Sequence, residues 1–119
     1  MTYLTQKTIK NKVSFSGIAL HSGLNVNVSL VPARPNSGII FKRVDLNKNN
    51  LVYPNFMNVT NTSLNTTIEN EFGVKISTIE HLMCALFGMG IDNIIVEIDN
   101  EEVPILDGSA KLFIEKIIS

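Results

Sequence analysis

Residues 76–98 read ISTIEHLMCALFGMGIDNIIVEI, and the apolar pattern changes period inside them. From Ser77 to Met89 the spacing predicts a helix. At about 100° per residue, Ile79, Leu82, Met83, Leu86 and Phe87 fill one arc, a face suited to a sheet. The other arc holds Glu80, His81, Cys84, Ala85 and Gly88, small residues where a solvent face would carry lysines and glutamates. From Asn93 to Ile98 the run NIIVEI reads as a strand.

Upstream, Val13–Phe15 and Asn25–Val31 alternate apolar and polar with the strand period of two. SGIALHSG, with Gly17 and Gly23, reads as the connection between them. Pro32 and Pro35 interrupt pairing before GIIFKRV, Gly38–Val44, resumes it. Short strands follow at Thr66–Glu69 and Val74–Ile76, separated by a turn at NEFG. Downstream come a turn at DNEE and an extended VPIL. DGSAKLFIEKIIS then opens a second helix with an apolar stripe of Leu112, Phe113, Ile114, Ile117 and Ile118. The expectation is one α+β domain over residues 1–119, a two-layer sandwich of a mostly antiparallel sheet with two helices on one face.

A chain of 119 residues, 45% hydrophobic and 18% charged, can bury a real core. The net charge of −1, with no block of basic residues, gives no electrostatic footprint for nucleic acid. The basic stretch Lys7–Lys12 reads as a solvated strand edge. No segment has the length and apolarity of a membrane span or the run of a signal peptide. The one cysteine, Cys84, cannot form an internal disulfide, and a reducing cytoplasm is the expected compartment. Asn58 and Asn65 match the glycosylation pattern, but without a secretion signal they read as loop residues.

Glu80 and His81 stand at the entrance of an otherwise apolar helix, and two readings coexist. Ser77-Thr78-Ile79-Glu80 fits a capping box, with Ser77 capping the helix and Glu80 reaching back from the third position. The same carboxylate is favourably set against the helix dipole, and a neutral imidazole beside it can bind a metal. One histidine is short of the three protein ligands a catalytic zinc requires. Cys84, three residues after His81, could share a metal with it, although a cysteine there also suits a packed face.

GIALHSG (17–23), ISTIEHLMCALFGMGIDN (76–93) and EVPILDGSA (102–110) together resemble the N-terminal half of the UDP-3-O-acyl-N-acetylglucosamine deacetylases, with GIIFKRVDL and NTSLNTT also in register. That family consists of zinc hydrolases of lipid A synthesis. The resemblance implies that His81 binds the catalytic zinc and that Glu80 is the general base taking a proton from the attacking water. A histidine and an aspartate from a second, similar domain would complete the zinc site. It also implies that His21 lies near the active site and that Leu64 and Asn65 line the substrate passage. Asn65 departs from the cysteine common there. Asp107 resembles a motif residue, and N-capping of the second helix accounts for it equally.

Two functions follow as expectations. In one, the chain is the first of two domains of a zinc-dependent deacetylase acting on UDP-3-O-acyl-N-acetylglucosamine, inactive until a second domain joins it in cis or in trans. In the other, it is a non-catalytic domain that keeps the scaffold and binds a partner through the uncharged helix face.

Overall fold

The computed structural model describes residues 5–54, 59–61, 66–106 and 108–118. A five-stranded sheet has the order β1-β2-β8-β3-β4, from Val13–Ile18, Asn25–Pro32, Ile94–Ile98, Ile39–Arg43 and Leu51–Val52. A three-stranded sheet runs β5-β6-β7, from Val59–Asn61, Thr66–Glu69 and Lys75–Ser77. All pairs are antiparallel except β3 with β8, in which Phe41 lies beside Val96 and Ile39 beside Ile94. Parallel neighbours need a crossover. Here it spans the chain between Arg43 and Ile94, and it carries the smaller sheet and helix α1, Glu80–Gly88. Helix α2, Lys111–Ile118, packs on α1 and on β1, so the α+β sandwich is as expected.

The period of two holds in the central strands. Val26, Val28 and Leu30 of β2 and Ile94, Val96 and Ile98 of β8 are buried, with intervening residues half-buried or exposed. Leu82, Ala85 and Leu86 of α1 and Phe113 and Ile117 of α2 join this core. Phe113 meets Phe15 edge to face, the ring centroids 5.9 Å apart.

Several boundaries differ from the sequence expectation. β1 runs on through Gly17 to Ile18 because Pro104 and Leu106 pack against it. A Cβ on Gly17 would lie 2.9 Å from both side chains, so a glycine here lets Pro104 and Leu106 pack directly on the strand. Lys7–Lys12 is not a strand edge. Instead Lys7 is docked on the start of β8, its N–H donating to Asp92 and its carbonyl accepting from Asn93, with Ile9 buried. Ile118 is 65% exposed, so the stripe of α2 is narrower than its sequence suggested.

Arg43 couples the two sheets. Its guanidinium, buried on β3, donates to both oxygens of Asp45 at 2.9 and 2.7 Å and to the Lys75 carbonyl of β7 at 3.0 Å.

Candidate active site

β7 becomes α1 within two residues, and that joint sets where Glu80 and His81 point. Thr78 takes a left-handed backbone, φ 61°, and is buried. For a β-branched residue this conformation costs about 1–3 kcal/mol, so its surroundings must hold it. Ile79 then occupies the N-cap position with no side-chain cap, and Glu80 is the first helical residue.

This overturns the capping-box reading. Ser77 belongs to β7, its N–H and hydroxyl both donating to the Glu101 carbonyl, and Glu80 is two positions too early to reach back. The Glu80 carboxylate instead accepts the Thr66 N–H through Oε1, at 3.4 Å, from the neighbouring strand β6. Both Glu80 and His81 are half-buried, on consecutive positions of the first turn.

At its other end α1 closes in a Schellman motif. Gly90, φ 69°, donates to the Phe87 carbonyl and Ile91 to that of Leu86, with the Ile91 and Leu86 side chains both buried. The helix is thereby fixed at both ends, but its roll differs from the wheel. Ala85 is fully buried, whereas Phe87 is 67% exposed on the outward side with Cys84 and Gly88.

His21 sits in the short loop between β1 and β2, its side chain 37% exposed. The loop is tied at its neck by Ala19 N–H to the Leu24 carbonyl and Gly23 N–H to the Ala19 carbonyl. Below it lies Glu102, which stands in the DNEE turn and opens the EVPILDGSA motif but carries no role legible in the sequence. The Glu102 carboxylate accepts the His21 N–H at 3.0 Å, the Ser22 N–H at 3.1 Å and the Thr78 hydroxyl at 3.1 Å. The His21 Nε2 stands 3.9 Å from Glu102 Oε2. The structure thus joins His21 through one side chain to Thr78, two residues before Glu80. No periodicity marks Glu102 in advance; only tertiary pairing of residues 101–103 with Ser77 buries it.

Leu64, Asn65 and Asp107, like Asn58, lie outside the described residues. Among the described residues, no three His, Cys, Asp or Glu side chains come together as a metal site, and Cys84 does not join His81 in one. Among the described residues, clefts of about 540 and 410 Å³ are lined by Asn49, Asn50, Leu51 and Tyr53 with Asn70–Phe72, and by residues around Ile39, Met83 and Phe87. Neither is lined by Glu80 or His81. No helix of the described residues is long and apolar enough to cross a membrane.

Fold and site together define an α+β domain with a carboxylate and an imidazole on consecutive positions at a helix entrance. The sequence description of the UDP-3-O-acyl N-acetylglycosamine deacetylase family matches residues 6–119, and the chain belongs to that family. It is 49% identical over 112 residues to the UDP-3-O-acyl-N-acetylglucosamine deacetylase of Haemophilus influenzae (strain PittEE), covering 93% of this chain and 36% of the relative. It is 46% identical over 116 residues to the protein of the same name from Wigglesworthia glossinidia brevipalpis, covering 98% of this chain and 39% of the relative. The Histophilus somni (strain 129Pt) deacetylase is 49% identical over 111 residues, 93% of this chain and 36% of its own length. The chain therefore spans well under half the length of these relatives.

Proposed function

We propose that this chain is the first domain of a two-domain, zinc-dependent hydrolase that removes the acetyl group from the 2-amine of UDP-3-O-acyl-N-acetylglucosamine in lipid A synthesis, in the cytoplasm. The observation that carries the reading is the seating of Glu80 and His81 on adjacent first-turn positions of α1 in a chain of the deacetylase family. The single cysteine, which has no partner within this sequence for a disulfide, is in keeping with a reducing compartment.

In this reading Glu80 is the general base. It needs hydrogen-bond reach of the attacking water, and its place at the helix start, half-buried with a long 3.4 Å bond from the Thr66 N–H, leaves it partly open to solvent. The described residues by themselves do not fit a zinc site, which takes three protein ligands in a catalytic centre. His81 would supply one, and a histidine and an aspartate of the second domain the others. The domain would then be inactive alone. The outward face of α1, with Cys84, Phe87 and Gly88, is the face we assign to the second domain; Leu64 and Asn65 would line the substrate passage, with His21 and Asp107 in support.

The test is acetate release from UDP-3-O-acyl-N-acetylglucosamine, by this chain alone and by the chain joined to a second domain, each with and without a zinc chelator. The joined protein is expected to release acetate in a chelator-sensitive way and the isolated chain to release none. Release by the isolated chain, or none by the joined protein, contradicts the proposal.

A further inference from the structure

Glu102 plays no part in the chemistry just described, yet it is the one buried acid among the described residues, 4% exposed. Its backbone runs parallel to Ser77, with Ser77 N–H donating to the Glu101 carbonyl at 2.8 Å and Val103 N–H to the Ser77 carbonyl at 3.0 Å. That register sets the carboxylate between the His21 loop and the β7–α1 joint. Oε1 accepts the Ser22 N–H, and Oε2 accepts the His21 N–H and the Thr78 hydroxyl. Two backbone donors from a tied loop make this acceptor rigid, and Thr78 hangs on it in a conformation its side chain disfavours.

We propose that Glu102 is a positioning residue for the Glu80–His81 pair: it holds Thr78 left-handed, and so sets the direction in which α1 begins. The physical reason is local. If Thr78 relaxes to an extended or right-handed backbone, the first turn of α1 swings about the joint, and Glu80 and His81, on that turn, swing with it. The competing role is a fastener for the His21 loop alone, in which the Thr78 bond is incidental. That the pair so positioned is catalytic rests on the deacetylase reading; the geometry of the joint does not.

Three variants separate the roles by amide hydrogen exchange on the full chain. Thr78→Val is isosteric and removes only the hydroxyl donor. Thr78→Ser restores it. Glu102→Gln keeps the shape but replaces an accepting oxygen with a donor. The Met83 N–H, bonded to the Ile79 carbonyl at 2.9 Å, reports the first turn of α1. With Thr78→Val, Met83 exchange is expected to rise at least about tenfold, while the His21 and Ser22 amides and those of β2 and β8 change less than about threefold. Thr78→Ser is expected to return Met83 near the parent rate, and Glu102→Gln to release Met83, His21 and Ser22 together. In the two-domain enzyme, Thr78→Val is expected to lower kcat at least about tenfold with KM within about threefold. Unchanged Met83 exchange in Thr78→Val, or an unchanged kcat, overturns the positioning role. Exchange as expected in a parent enzyme that shows no deacetylation instead overturns the deacetylase reading and upholds the role at the joint.

Discussion

Arg43 and Asp45 show at the scale of single residues how a charge is made tolerable inside this fold. The guanidinium donates to the Asp45 carboxylate through two bonds, and this, against the opposing effect of partial burial and helped by the arginine's charge, holds Asp45 below its ordinary pKa of 3.8. A carboxyl with a depressed folded pKa adds stability that is fully present above its unfolded value and is lost as pH falls through the folded one. Asp45→Asn is therefore expected to cost about 1 kcal/mol near neutral pH, modest because Asp45 is partly exposed. In urea unfolding, the gap between variant and parent should close as pH drops below about 4. A gap that stays constant to pH 2, roughly two units below the ordinary aspartate pKa, would show that the pair does not stabilise through charge. Little of this was legible in advance: GIIFKRV reads as a strand, but nothing in it says that the arginine turns inward. Glu102 is the same case. Acids in a polar tetrapeptide look solvated, and only the pairing of residues 101–103 with Ser77 makes one of them buried and answered by three donors.

For α1 as an element, the existence of the helix was readable from the 3.6-residue period. Its start and its roll were not. The start depends on a left-handed Thr78, held by a side chain 24 residues away, and no local signal announces that. The roll depends on which arc the sheet and α2 accept. With the helix starting at Glu80, the buried arc centres on Leu82, Ala85 and Leu86, so small Ala85 goes inside and large Phe87 stays outside. Hydrophobicity alone ranks those two residues the other way. Paired substitutions make the distinction measurable in the unfolding free energy. Leu86→Ala should cost about 2–5 kcal/mol, as for a fully buried leucine that leaves a cavity. Phe87→Ser should cost less than about 0.5 kcal/mol in this chain, since little of its ring is covered. A large loss from Phe87→Ser would restore the original wheel.

Across the whole molecule, the sheet and helices converge on one outcome: a rigid joint that offers Glu80 and His81 at the start of a helix capped by packing at its far end. The strand alternation in β2 and β8 and the apolar stripe of α2 let the α+β class be read from sequence, because burial on one face imposes those periods. The order β1-β2-β8-β3-β4 was hidden, since the parallel pairing of β3 with β8 crosses some fifty residues and leaves no local trace. The central claim is that the pair at the joint is half of an amide-hydrolysing site, with Glu80 as its base. The most direct measurement is kcat for acetate release by the two-domain protein carrying Glu80→Ala, with zinc content determined on the same sample. The account predicts a fall of at least about a hundredfold in kcat, the size expected for losing a general base, with zinc content unchanged. Full activity in that variant would contradict it and leave Glu80 as a residue that only holds the Thr66 amide.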